Sequence, residues 1–233
     1  MPAVAEPGGA DADAALTYTS YLALDEVLAA QRPRSGEHDE MLFIVIHQVY
    51  ELWFKQLLHE LAHLRSRLAD GDTPHAARTL RRILTILKVA VAQIDVIETM
   101  SPRQFTSFRD RLDASSGFQS RQFRDVEAAL GDPDSGLWPS FLAYLAGQGY
   151  ETDRPAEDLL VDVYADDGGP AQVAELLVDL DEGLQEWRYR HVKMVERTIG
   201  DKAGTGGSSG ADYLRSTLFR PVFPALWSVR SRL

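Results

Sequence analysis

Cysteine is absent from the 233 residues of the sequence. Its absence excludes disulfides, thiolate nucleophiles, iron–sulfur clusters and zinc sites built on cysteine. Any metal ion would therefore be bound by histidine, carboxylate or tyrosine side chains. Because a chain without disulfides suits a reducing compartment, we expect a cytoplasmic location.

The sequence also lacks long apolar runs and an excess of positive charge. Every apolar run is shorter than the about 18 residues that a membrane-spanning helix needs, so we expect no membrane contact. The 24 lysine and arginine residues face 35 aspartate and glutamate residues, and this net charge of −11 disfavours binding to nucleic-acid phosphates. Residues 1–15 lack the basic and apolar regions of a secretory signal, and we predict that they form a disordered leader.

Residues 16–233 have the periodicity of α-helices, with apolar residues recurring every three or four positions. We predict a single all-α domain, a helix bundle, because no stretch alternates apolar and polar residues as a strand does. Ser35 is expected to cap the second helix, and Gly200 is expected to end the last long one. The expected helices are 18–30, 38–69, 73–98, 105–112, 121–131 and 171–199, with one or two short helices in the Gly-, Pro- and Asp-rich region 131–170.

Two histidines lie on the apolar faces of long predicted helices. In the segment MLFIVIHQVYELWFK, His47 shares a helical face with Phe43, Tyr50 and Phe54. His191 lies on the apolar stripe of the last long helix. Each could be a core histidine bonded to a neighbouring carbonyl or carboxylate group. The two could also face each other across a flat cofactor such as haem, whose iron commonly binds histidine. Spacing alone leaves both interpretations open.

The segment HELAH, residues 59–63, has the two-histidine spacing of a helical zinc site. No third ligand follows at a recognisable distance, and both histidines lie on the polar edge of an amphipathic helix. We therefore predict a solvated helix face without zinc.

The segment GTGGSSG, residues 204–210, follows a helix and lacks the lysine of a phosphate-binding loop, so a flexible linker is the simpler interpretation. Its glycines would also let the backbone at Thr205 approach a ligand closely. Arg109 has Phe105 and Phe108 as sequence neighbours, and we expect it to be partly buried. A buried arginine needs an anion, and a carboxylate ligand would bind it through two hydrogen bonds.

Five segments of the sequence resemble the tryptophan 2,3-dioxygenase family. They occur in the order found in that family and cover most of residues 17–126 and 180–233. The segments are TYTSYLALDEVLAAQ, HDEMLFIVIHQVYELWFK, FRDRLDASSGFQSRQFR, WRYRHVKMVERTIG and KAGTGGSSGADYLRSTL. The resemblance implies a helix bundle enclosing a b-type haem, with residues 16–233 as one haem-binding dioxygenase domain. It implies an oxidoreductase that opens the indole C2–C3 bond of L-tryptophan with O2, giving N-formyl-L-kynurenine in tryptophan catabolism.

The resemblance also implies roles for individual residues. His191 corresponds to the axial ligand of the haem iron. His47 corresponds to the distal histidine near the indole N–H, where it would orient the substrate and direct proton movement. Phe43 corresponds to an aromatic residue packed on the indole ring, and Phe105 to a further aromatic position of the pocket.

The charged ends of the substrate have their own counterparts in this sequence. Arg109 corresponds to the arginine that binds the substrate carboxylate, and Thr205 to a threonine beside the substrate ammonium group and a haem propionate. Tyr18, Tyr21 and Leu22 correspond to an N-terminal helix that the family contributes to the pocket of a neighbouring subunit. The resemblance implies a homotetramer.

The region from about 127 to 180 departs from the family, in which it is longer and packs over the outside of the haem domain. Two other functions therefore stay open. One is a related haem enzyme that oxidises a modified tryptophan or another indole in secondary metabolism. The other is a non-catalytic module that binds or senses haem.

Overall fold

The computed structural model describes residues 15–113, 115–202, 204 and 211–233. The predicted leader lies outside these residues except for Ala15. Across the described residues all regular secondary structure is helical and no strand occurs, as the sequence predicts. The helices are α1 (Tyr18–Tyr21), α2 (Leu24–Leu28), α3 (His38–Ala69), α4 (Thr73–Ile97), α5 (Pro102–Arg109), α6 (Arg121–Gly131), α7 (Leu137–Gly147), α8 (Ala156–Ala165), α9 (Gly169–Ile199), α10 (Ala211–Arg215) and α11 (Pro224–Ser228), with short 3₁₀ helices at Gly117–Gln119 and Val229–Arg232.

The three longest helices, α3, α4 and α9, form the bundle. α4 packs against both α3 and α9, and its buried stripe includes Ile83, Leu87 and Ile94. The side chain of Asp72 begins α4 by accepting a hydrogen bond from the backbone N–H of His75 at 3.3 Å. None of the helices in the described ranges has both the length and the apolar character to cross a membrane.

The capping of α3 differs from the prediction, although the helix begins at the predicted residue, His38. Glu37 is the N-cap residue, and the expected cap, Ser35, instead bonds to Glu40. The Glu40 carboxylate accepts hydrogen bonds from the backbone N–H groups of Arg34 and Ser35, each at 2.8 Å, and from the Ser35 hydroxyl at 2.5 Å. Only 2% of Glu40 is exposed, and these bonds compensate for the removal of its carboxylate from water. The loop before α3 is thereby joined to the first turn of the helix.

Of two other predictions of helix boundaries, one is wrong and one is confirmed. The helix predicted at 18–30 is wrong as a single element, because Ala23 has a left-handed backbone (φ 49°) that separates α1 from α2. The predicted end of the last long helix is confirmed, since Gly200 terminates α9 with φ 61°. The least readable region, 131–170, contains two helices, α7 and α8.

A buried carboxylate on α9 joins the C-terminal segment to the bundle. Asp181 is 0% exposed. It accepts a hydrogen bond from the backbone N–H of Phe223 at 3.1 Å and one from the indole N–H of Trp227 at 2.9 Å. The chain end therefore packs against the helix that also carries His191.

Candidate active site

A cavity of about 840 Å³ lies between the first half of α3, α5 and the last turns of α9. Pockets for cofactors and small ligands commonly measure about 300–1,000 Å³, so this cavity is large. The residues that line it include Phe43, His47, Phe105, Arg109 and His191. The two histidines from different core helices therefore share one cavity.

His47 lies one helical turn beyond Phe43 on α3, and its ring Nδ1 is 2.7 Å from the Phe43 carbonyl oxygen. Because a carbonyl only accepts, Nδ1 carries the proton and donates it. Burial lowers the pKa of His47, although the Phe43 carbonyl and the charge of Glu51 act in the opposite direction. The ring is therefore neutral near pH 7, and its Nε2 has a lone pair with which to accept a hydrogen bond.

His191 lies on α9, where it lines the same cavity. Although part of the ring faces the cavity, desolvation by the surrounding protein lowers its pKa to about 4, and the charge of nearby His47 adds to the effect. The Trp187 ring stacks against it with centroids 5.2 Å apart. Neither nitrogen of His191 has a hydrogen-bond partner among the described residues. A neutral imidazole with no protein partner is chemically suited to coordinate a metal ion.

The surroundings of His191 fit a haem group. Trp187, Met194 and Val195 line the cavity beside it and are apolar. Haem iron takes a histidine as its protein ligand in several classes of haem protein, and an apolar surround excludes water from the iron. The described residues contain no cluster of three or more His, Asp or Glu that would suit a bare metal ion.

Another wall of the cavity is aromatic and belongs to a small core of its own. The Phe43 ring centroid is 5.8 Å from that of Phe105 and 5.7 Å from that of Phe108. Phe105 and Phe108 of α5 are buried, and together with Met100, which precedes that helix, they form a cluster separate from the main core. Arg109 ends α5, is half-buried as predicted, and lines the cavity beside these rings. An apolar aromatic surface next to a guanidinium group can bind a planar ring that carries a carboxylate.

Three of the predicted substrate residues are not brought into this cavity within the single chain, and a fourth lies outside the described residues. Tyr18, Tyr21 and Leu22 do not line it, and they are 76%, 74% and 40% exposed. Thr205 lies outside the described residues, although the preceding Gly204 lines the cavity.

The two histidines of the HELAH segment are more exposed than His47 and His191. His59 and His63 are both exposed, as expected of a solvated helix face. Glu60 between them is turned inward and accepts hydrogen bonds from Gln56 at 2.7 Å and Arg82 at 3.1 Å. The acidic side chain of the motif therefore does not face the same side as its histidines.

Sequence reasoning missed two parts of the cavity wall. Residues 115–117 line it from the loop after α5, and Glu40 lines it from the first turn of α3. The spacing of Glu40 from Phe43 and His47, three and seven residues, places all three on one helical face and could have identified it. The loop had no comparable signal beyond its small residues.

Comparison with known proteins gives matches over nearly the whole chain. A family model described as tryptophan 2,3-dioxygenase matches residues 4–139 and 149–233. Most of the region from 127 to 180 is therefore matched, and only residues 140–148, within and just after α7, are left out.

Individual relatives agree with the family model. The tryptophan 2,3-dioxygenase of Anaeromyxobacter dehalogenans is 60% identical over 257 aligned positions, covering 94% of this chain and 97% of the relative. Those of Herpetosiphon aurantiacus and Caulobacter vibrioides are 51% and 41% identical, each over 94% of this chain and at least 98% of the relative. The alignment with this relative has 257 positions, which is more than the 233 residues of this chain, so some positions of the relative have no counterpart here. This chain is therefore shorter than its relative within the aligned region. These matches show that the chain belongs to the tryptophan 2,3-dioxygenase family.

Proposed function

We propose that this protein opens the indole C2–C3 bond of L-tryptophan with dioxygen, giving N-formyl-L-kynurenine with both oxygen atoms in the product. Family membership makes it an oxidoreductase of the dioxygenase class. The main structural support for this reaction is a single cavity that is lined by His47, His191, Arg109 and the aromatic wall.

His191 would hold the iron of a haem b group. Its neutral imidazole, free of hydrogen-bond partners among the described residues, and the apolar wall around it support this role. When bound, haem supplies the redox-active iron needed for chemistry with dioxygen. Trp187, stacked on the His191 ring, restricts the orientation of the imidazole.

The aromatic wall of the cavity and Arg109 would position the amino acid. Phe43 and Phe105 offer aromatic surface for the indole, and Arg109 offers two parallel N–H donors for the carboxylate. Thr205 would bind the ammonium group, as the family resemblance implies. Fixing both charged ends and the ring places the C2–C3 bond reproducibly, so that much of the rate enhancement comes from positioning.

His47 would accept a hydrogen bond from the indole N–H at Nε2. The bond from its Nδ1 to the Phe43 carbonyl fixes the tautomer that leaves Nε2 free to accept. Because an indole N–H is a very weak acid, we assign His47 to substrate orientation and proton direction and not to obligatory proton removal.

The active site would be completed by a second subunit in a homotetramer. Tyr18 and Tyr21 expose most of their aromatic surface on α1, which carries no buried residue in the single chain. Burial of such apolar surface against another copy is favourable. We place this enzyme in the cytoplasm, in keeping with a chain that has no cysteine.

The test is product formation by the purified haem protein. The protein is reduced anaerobically, mixed with L-tryptophan and then exposed to air, and the absorbance of N-formylkynurenine is followed. We expect product only when reductant, L-tryptophan and oxygen are all present. Haem binding without product from any indole would favour the non-catalytic module, and faster turnover of a modified indole would favour the secondary-metabolism alternative.

A further inference from the structure

A second, much smaller void lies in the core between α3, α4, α6 and α9. Its volume is about 30 Å³. Aliphatic side chains form most of its wall, among them Leu61, Ile83, Leu87, Ala90 and Leu184. It lies outside the cavity assigned above to haem and tryptophan.

The chemistry of this void suits a small apolar guest better than water. A void of about 10–15 Å³ can admit a water molecule, but the water then needs two to four polar partners. The lining is aliphatic and aromatic. Apolar cavities of this kind stay dry and take up apolar guests such as xenon. A diatomic gas is compatible with the volume, whereas an indole is too large.

Three aromatic rings separate this void from the active-site cavity. Phe54, Phe123 and Trp187 line both spaces. Their ring centroids are 5.5 Å apart for Phe54 and Phe123, 5.2 Å for Phe123 and Trp187, and 6.4 Å for Phe54 and Trp187.

The void is lined by residues of both helices that carry the active-site histidines. Phe54 lies two helical turns after His47 on α3, and Trp187 lies one turn before His191 on α9. A guest in the void is separated from the active-site cavity by a single layer of rings. Side chains in a close-packed core still change rotamer, and passage of a small molecule through this layer depends on such changes in the three rings.

We propose that the void is a docking site for dioxygen, from which the gas passes the three rings into the active-site cavity. The inference rests on the proposed function, because dioxygen is the one apolar diatomic substrate of that reaction. Tryptophan bound in the active-site cavity would occupy part of that space, whereas the void on the other side of the rings would stay available to dioxygen.

Xenon and a void-filling variant test the proposal in the haem-loaded protein. Ala90→Val adds two methyl groups to the wall of the void and so fills it. Ile83→Val removes one methyl group from the wall and so enlarges the void. Ala77→Val is the matched control, because Ala77 is buried on the same helix but lines neither space. Crystals under xenon pressure should show xenon in the void of the wild type, Ile83→Val and Ala77→Val, and none in Ala90→Val.

The same variants are then compared in steady-state kinetics with dioxygen as the varied substrate. We expect kcat/KM for dioxygen to fall several-fold in Ala90→Val alone, with KM for L-tryptophan and haem content unchanged. An empty void in both wild type and Ile83→Val overturns the inference, and so does an unchanged kcat/KM for dioxygen in Ala90→Val. Absence of any oxygen uptake by the wild type overturns the proposed function instead, and with it dioxygen as the guest.

Discussion

Glu40→Gln tests how the loop before α3 is joined to the wall of the active-site cavity. Glu40 lines the cavity from the first turn of α3, and its carboxylate accepts three hydrogen bonds from Arg34 and Ser35. Arg32 and Arg34 in the same loop also line the cavity. The substitution keeps the shape of the side chain but replaces one acceptor oxygen with a donor NH2 group. That group faces other donors, so the loop should separate from α3.

The size of the effect follows from the bonds lost. Hydrogen bonds to charged groups contribute about 1.5–3 kcal/mol each, and at least one is lost in Glu40→Gln while another becomes neutral. We therefore expect a loss of roughly 2–4 kcal/mol, as an upper limit because the loop can detach without unfolding the bundle. For a chain of this length each kcal/mol lowers Tm by about 2–4 °C.

The pH dependence of this loss has a definite sign. Burial raises the pKa of the Glu40 carboxyl, but the hydrogen bonds from Arg34 and Ser35 outweigh burial and keep that pKa below its ordinary value of 4.5. A carboxyl whose pKa is lowered by folding stabilises the protein above the pKa of the unfolded chain. The stability difference between wild type and Glu40→Gln should thus be constant above pH 4.5 and shrink as the pH falls through the lowered pKa.

The assay is thermal and urea unfolding across this pH range, together with steady-state kinetics for L-tryptophan. Glu60→Gln is the control, because Glu60 is 3% exposed on the same helix but lines no part of the cavity. Both variants should lose stability, while only Glu40→Gln should raise KM for L-tryptophan. Equal KM values in the two variants would refute a role for Glu40 in positioning the loop before α3 against the cavity.

Four further predictions concern the proposed active site and the packing of the C-terminal segment. His191→Ala should purify with little haem, as measured by the Soret absorbance relative to protein. Because removing one partner of a hydrogen-bonded charge pair at a binding site costs about 2–5 kcal/mol, L-tryptophan should exceed tryptamine by roughly a hundredfold or more in kcat/KM, and Arg109→Ala should remove most of that difference. Deletion of residues 1–24 should weaken binding of tryptophan more than binding of haem, as measured by titration. Asp181→Ala should lower Tm, since the buried backbone N–H of Phe223 loses its acceptor at a cost of about 1–3 kcal/mol and the part-buried indole N–H of Trp227 loses its own.

Each of these expectations has a contrary outcome. Stoichiometric haem with an unchanged spectrum in His191→Ala would remove that residue as the ligand. Equal turnover of tryptamine and L-tryptophan by the wild type would show that Arg109 does not bind a carboxylate. Unchanged tryptophan affinity after deletion of residues 1–24 would count against a shared active site, and a wild-type Tm in Asp181→Ala would count against its role at the chain end.

Much of the fold follows from the sequence because the long helices have long apolar stripes. α3 begins and ends where the pattern predicts, α4 ends one residue earlier, and α9 begins two residues earlier. The break at Ala23 had no local signal, because alanine favours helix more than any other residue. α7 and α8 were not located because each is only about three turns long and is flanked by glycine, proline and aspartate.

The site was predictable in part, for a different reason. Periodicity placed His47 and His191 on apolar faces, but which faces meet depends on the packing of three helices and cannot be obtained from spacing. The resemblance to a family supplied the pairing, and the shared cavity is consistent with it. The Glu40 bonds were missed because Ser35 has the composition of a helix cap, whereas its actual partner is a carboxylate five residues along the chain.

The most direct test of the proposed reaction is the fate of isotopically labelled oxygen. The reduced haem protein is supplied with L-tryptophan and ¹⁸O₂, and the product is analysed by mass spectrometry without delay, before the formyl oxygen can exchange with water. The cavity chemistry predicts N-formyl-L-kynurenine in which both oxygen atoms added to the former indole ring are ¹⁸O. A product with only one labelled atom and an intact C2–C3 bond would contradict the dioxygenase reaction and assign the protein to indole monooxygenation.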